Sequence, residues 1–227
     1  MSWGVPPEAA GVQSLPGKSY ACLYVLDCPC LSCLMRSYGL SSFTTSYSRR
    51  FLRLFTISGL QGPVLWIPGD PVTVVGRNRF VAVFYHRSVS PMQDGTQLLG
   101  YSIFDGLTGA VVVSGEVSAL SSGASLSWAG FTDKCALSIM DTDGMLSMLA
   151  RYPSNNSNSG SGNWMPLLDT VGLKKNMNDS YWPVEVHGGK LICVPLRGRD
   201  HPDATRRPVT TALPLRIPLA TGLTAKR

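Results

Sequence analysis

Asp143-Gly144 is the feature that most constrains this chain. It stands between two short apolar runs, Cys135–Asp141 (CALSIMD) and Met145–Arg151 (MLSMLAR), neither long enough nor periodic enough for a helix. Asp-Gly between such runs predicts a β-hairpin, because a two-residue type I′ turn needs positive φ at both central positions and these residues reach it most easily. Ser125–Phe131 (SLSWAGF) precedes the pair, and Trp164–Thr170 (WMPLLDT) follows it after the polar loop Pro153–Gly162 (PSNNSNSGSG). Four strands in about 45 residues is the size and order of one propeller blade.

The rest of the chain repeats the signal. Phe51–Ile57, Val64–Ile67, Val72–Val75, Phe80–Tyr85, Leu98–Phe104 and Val111–Val113 with its continuation towards Val117 read as strands before the central blade; Tyr181–Val186, Leu191–Leu196 and Leu213–Leu219 read as strands after it. Turn residues separate them at about ten-residue spacing and no helical period intervenes, which favours a propeller or sandwich over α/β. Gly 23 and Pro 16 in 227 residues, with 44% hydrophobic and 15% charged, agree with an all-β chain able to bury a core. Residues 1–43 show no period and are expected to be poorly ordered.

No segment has the apolar length of a membrane helix, and the N-terminus lacks a basic start and apolar core, so a soluble intracellular chain without membrane contact is expected. Asn155-Asn156-Ser157 and Asn178-Asp179-Ser180 then read as chance glycosylation matches. Four of the six cysteines, Cys22, Cys28, Cys30 and Cys33, crowd one end, and Cys30-x-x-Cys33 has no second pair at finger spacing. His86, His187 and His201 stand apart from metal-ligand companions, and Asp141-Thr142-Asp143-Gly144 lacks the later Gly and Glu of a calcium loop. No phosphate loop or nucleophile elbow is present. The expectation is no enzyme, no metal and no cofactor.

Charge and aromatics offer two surfaces. The formal charge of +6 gathers towards the C-terminus, in Arg197, Arg199, Arg206 and Arg207. Such a patch would contact phosphate backbones, making the chain a basic DNA- or chromatin-binding β module. A solvated loop is the plainer reading. Trp128, Phe131, Trp164 and Trp182 fall in strands and are expected in the cores between blades, in preference to stacking on nucleic acid.

Five segments in order carry a resemblance: FLRLFTISGLQ (Phe51–Gln61), SLSWAGFTDKCALSIMDTDGMLSML (Ser125–Leu149), NWMPLLDT (Asn163–Thr170), YWPVEVH (Tyr181–His187) and LICVPLRGRDHPDATRRPV (Leu191–Val209). Together they resemble the second, SepB-type β-propeller of the replisome adaptor family called chromosome transmission fidelity factor four, in animals WD-repeat and HMG-box DNA-binding protein or And-one. The resemblance implies an all-β, partial propeller of four-stranded antiparallel blades, about three to four of a six-bladed type, over residues 44–220, with an unmatched segment 1–43 and a tail 221–227. It further implies a nuclear DNA-replication adaptor linking the replicative helicase assembly to DNA polymerase alpha, associating with itself as a trimer. In that family client peptides dock on a helical bundle after the propeller, and the chain is expected to be a fragment without it.

Overall fold

A computed structural model describes residues 21–26, 51–56, 61–88, 92–151, 162–174, 176, 178–199, 201–203 and 207–218. Most of 1–43, including Cys28, Cys30 and Cys33, lies outside them, as do Arg206, Asn155-Asn156-Ser157 and the tail 221–227.

The chain is all-β. Strands β1 (Ala21–Leu26), β2 (Phe51–Thr56) and β3 (Gln61–Trp66) form a first sheet; β4 (Asp70–Arg77), β5 (Phe80–His86), β6 (Leu99–Asp105) and β7 (Val111–Glu116) a second. The third sheet is β8 (Leu126–Phe131), β9 (Leu137–Asp141), β10 (Met145–Arg151) and β11 (Gly162–Asp169), the four-stranded meander expected around Asp143-Gly144. The fourth holds β12 (Asp179–His187), β13 (Lys190–Arg197) and β14 (Thr211–Pro214). Each sheet is one continuous stretch of sequence with its strands in chain order. Stacked side by side they make a partial β-propeller, in which the second and third sheets are complete four-stranded antiparallel blades. Among the described strands the only parallel ladder is β1 with β2, and β1 lies in the segment where no strand was expected.

Three apolar layers hold the stack. Leu52, Leu54, Leu65 and Ile67 meet Val74, Val81, Val83 and Phe104 between the first and second sheets. Phe84, Tyr101, Ile103 and Val113 meet Phe131, Leu137, Ile139 and Leu149 between the second and third. Met140, Leu146, Leu167 and Leu168 meet Val186, Leu191 and Cys193 between the third and fourth. Strands β5, β6 and β9 are buried along almost their whole length, because each is an inner member of a sheet covered on both faces. Bulky rings lie over glycines within these sheets: a Cβ on Gly100 would stand 2.5 Å from the Tyr85 ring opposite it, and one on Gly115 3.1 Å from the Tyr101 hydroxyl.

Two expectations need correction. Asp143-Gly144 does not form a two-residue type I′ turn. Leu146 pairs with Met140, so Thr142, Asp143 and Gly144 together make the link; Gly144 N–H donates to the Asp141 carbonyl at 3.1 Å, and among these residues only Gly144 takes positive φ (81°). The Asp141 carboxylate decides this, because its Oδ1 accepts the Met145 N–H at 2.8 Å and extends the turn by one residue. The two-residue turn with both φ positive is at Gly188-Gly189 (56° and 71°), joining the His187–Lys190 pair. The last strand is also shorter than Leu213–Leu219. It runs from Thr211 to Pro214, because Pro214 pairs with Lys190, the first residue of β13, and β13 offers nothing beyond it; Leu219 lies outside the described residues.

Candidate functional site: the two ends of the sheet stack

The hairpin tips of three sheets converge at one end. Asn78-Arg79 links β4 to β5, and Asn78 tolerates φ of 55° as Asn readily does. Its Nδ2 donates to Cys135 Sγ at 3.2 Å, in the β8–β9 loop, where Cys135 takes φ of 58°. That loop closes on itself through Thr132, whose Oγ1 accepts the Ala136 N–H at 3.0 Å. Next, the Asp133 carboxylate accepts the Gly188 N–H at 3.1 Å, Asp133 N–H donates to the Val186 carbonyl at 3.2 Å, and Thr132 and Val186 form a parallel bridge. The Gly188 N–H holds the Asp133 carboxyl below the usual carboxylate range. Leu215 N–H donates to the Gly189 carbonyl at 3.0 Å, bringing Arg216 to the same end. Arg79 pairs with Asp105 at the end of β6, whose carboxyl that hydrogen bond lowers, and its guanidinium lies 6.0 Å from the Phe80 ring centroid.

The opposite end is where the β5–β6, β9–β10 and β13–β14 links lie. Asp141 is buried there at 2% exposure: Oδ2 accepts Ser121 Oγ–H at 2.7 Å and Ser121 N–H at 3.2 Å, tying the β9–β10 turn to the connection between sheets. Asp94 accepts Thr96 N–H at 3.0 Å, Thr96 Oγ1–H at 2.8 Å and Ser122 Oγ–H at 2.8 Å, and the Thr96 N–H is the main reason its carboxyl titrates low. Arg87 pairs with Glu116. Of the arginines singled out in the sequence, Arg197, Arg199 and Arg207 are at this end. Arg197 closes β13 in register with Asp179, Arg199 reaches Asp203 at 3.7 Å, and Arg207 is exposed.

The middle-region family of the minichromosome loss protein Mcl1 matches residues 35–219, which contain β2 to β14. The chain belongs to this family. Among its relatives, the mouse WD repeat and HMG-box DNA-binding protein 1 is 30% identical over 192 residues, covering 83% of this chain and 16% of the mouse protein. The human protein of that name is 31% identical over 183 residues, 79% of the chain and 15% of its own length. Minichromosome loss protein 1 of Schizosaccharomyces pombe is 32% identical over 131 residues, 57% of the chain and 16% of the relative. The chain therefore spans about a sixth of the curated relatives it matches.

The aromatic residues of this chain divide. Phe131 is buried between the second and third sheets. Trp164 is partly buried there; it meets Tyr101 edge-on, with centroids 5.4 Å apart and planes at 82°, and its Nε1–H donates to the Glu116 carbonyl at 3.1 Å. Trp128 packs on the core between the third and fourth sheets and covers Gly130, whose Cβ would stand 2.5 Å from the indole. Trp182 is not a core residue. It is 43% exposed, and Val184 beside it 45%, because Leu191 and Cys193 occupy the inner face of the fourth sheet while Trp182, paired with Val194, takes the outer one.

The Cys193 thiol, buried in the core, is pushed up to about 11 by desolvation. Among the described residues no three His, Cys, Asp or Glu side chains gather as a metal site would require.

Proposed function

We propose that this chain is a scaffold module of the DNA replication machinery, contributing its β-propeller to an adaptor that links the replicative helicase assembly to DNA polymerase alpha. The observation that carries the reading is the family match over residues 35–219, the span that builds the stacked sheets. Relatives named for DNA binding and for minichromosome loss support a role on chromosomes, and with it a nuclear location. The structure agrees with a scaffold in what its polar side chains do: Asp94, Asp133 and Asp141 brace loops, and Trp164 joins two blades. Self-association through the propeller, as a trimer, belongs to the same reading.

Two differently tagged copies expressed in replicating cells test it. The chain should concentrate at sites of nascent DNA synthesis and one tag should recover the other, while a copy extended to the length of the curated relatives should in addition enrich helicase and polymerase alpha subunits. Even distribution through the cell with no recovery of the second tag would overturn the proposal.

A further inference from the structure

The sequence concentrates its arginines in one loop, but the fold sorts charge differently. At the end carrying the Arg197–Arg207 loop stand Asp70, Asp94, Glu116, Asp141, Asp143 and Asp169, every one at a strand end or in a link that the antiparallel topology brings there. Arg87 is paired with Glu116, and Arg199 with Asp203 of the loop itself. The potential over that loop is therefore much reduced.

The hairpin-tip end is the reverse. Arg77, Arg79, Lys134, Lys190 and Arg216 arrive there from four places in the sequence, and the hydrogen bonds between tips put them on one continuous rim. Among the described residues the acids at this end are Asp105, Asp133 and, two residues from the tip, Glu185. Asp105 is turned inward onto Arg79 and the Leu107 N–H, and Asp133 onto the Gly188 N–H. Arg77, Lys134, Lys190 and Arg216 enter no ion pair with a described residue, and Lys134, Lys190 and Arg216 are exposed. Gly188 and Gly189 add an open approach: a Cβ on either would meet nothing within 4 Å, so a ligand can come close to bare backbone there. Cations on successive tips, with Asp105 and Asp133 withdrawn and small residues between, suit a polyanion whose charges repeat along a line.

We propose that this rim of hairpin tips is a sequence-independent binding surface for the phosphate backbone of DNA. The proposal is independent of the adaptor reading, which needs no direct DNA contact. Backbone binding releases counterions, so log K falls with log salt by about 0.9 per phosphate contacted.

The test uses the full 227-residue chain and a fluorescein-labelled 30-base-pair duplex, with anisotropy read from 50 to 200 mM salt. Four contacts, from Arg77, Lys134, Lys190 and Arg216, give an expected slope of about −3.6. Lys134→Gln with Lys190→Gln should reduce its magnitude by about 1.8 and weaken binding at least tenfold at 50 mM salt, while Arg197→Gln with Arg207→Gln leaves both within error. These side chains are exposed, and circular dichroism with thermal melting verifies that each variant folds. Absence of duplex binding, a slope indifferent to the two lysines, or loss through the two arginines instead would overturn the proposal. So would a poly-glutamate peptide that competes as well as unlabelled duplex, because the surface would then be one for acidic protein segments.

Discussion

Trp164 offers the sharpest test of how the blades are joined. It stands on the outer strand β11, with its ring edge-on to Tyr101 of the second sheet and its indole N–H on the Glu116 carbonyl of β7. Trp164→Ala removes ring burial, the ring pair and the hydrogen bond together. Aromatic truncation in a core costs about 3–5 kcal/mol, and because this ring is only partly buried the lower end, about 3 kcal/mol, is expected. Trp164→Phe keeps an aromatic edge against Tyr101 and loses mainly the N–H, a change worth about 1 kcal/mol. For a domain of this size about 1 kcal/mol moves the melting temperature by about 2–4 °C, so melting should fall by about 6–12 °C for Trp164→Ala and by about 2–4 °C for Trp164→Phe. Trp182→Ala, on the exposed outer face, is the control and should lie within about 0.5 kcal/mol of the parent. Differential scanning calorimetry reads all three. Equal losses from Trp164→Ala and Trp164→Phe would refute the division between ring burial and hydrogen bond, and a large loss from Trp182→Ala would refute its placement on a free face.

Two further outcomes follow from buried and turn-bracing carboxylates. Asp141→Ala strips an acceptor from Ser121 N–H, Ser121 Oγ–H and Met145 N–H, and at about 1–3 kcal/mol for each buried group left unpaired the urea midpoint should fall steeply; a midpoint matching the parent would show that water replaces the carboxylate without loss. Asp94, Asp105 and Asp133 all titrate below the usual range in the folded chain, so their stabilisation is fully present above the unfolded carboxylate value of about 4 and disappears as pH falls through their lower folded values. Urea midpoints should therefore decline below pH 5, and Asp133→Asn should flatten part of that decline; an identical acid profile in the variant would contradict the role given to the Gly188 N–H.

Strand positions were legible because each alternates or runs apolar between Gly and Pro signals, and the central meander appeared where Asp143-Gly144 placed it. The turn type was not legible, because it depends on which N–H the side chain of Asp141 captures, and Asp141 reads as the last residue of a strand in either case. Gly188-Gly189 carried the stronger type I′ signal, in plain view between two recognised strands. Trp182 illustrates a different limit. Strand membership does not say which face a side chain takes, and only the stacking of the third sheet on Leu191 and Cys193 decides that Trp182 looks outward. The basic surface escaped for a geometric reason: Arg197, Arg199, Arg206 and Arg207 are close in sequence, whereas Arg77, Lys134, Lys190 and Arg216 are close only after three hairpins have been laid side by side.

Every sheet here is one uninterrupted stretch of chain, and each apolar layer joins only sheets that are neighbours in sequence. Loop-closure entropy is therefore met in small instalments, one hairpin and then one blade at a time, and no strand must wait for a partner from the far end of the polypeptide. Opening should be graded in the same way. The second and third sheets, covered on both sides, would exchange their amide hydrogens last, and the fourth sheet, with Trp182 and Val184 facing outward, would exchange early. A blade can then loosen while the rest of the stack keeps its packing.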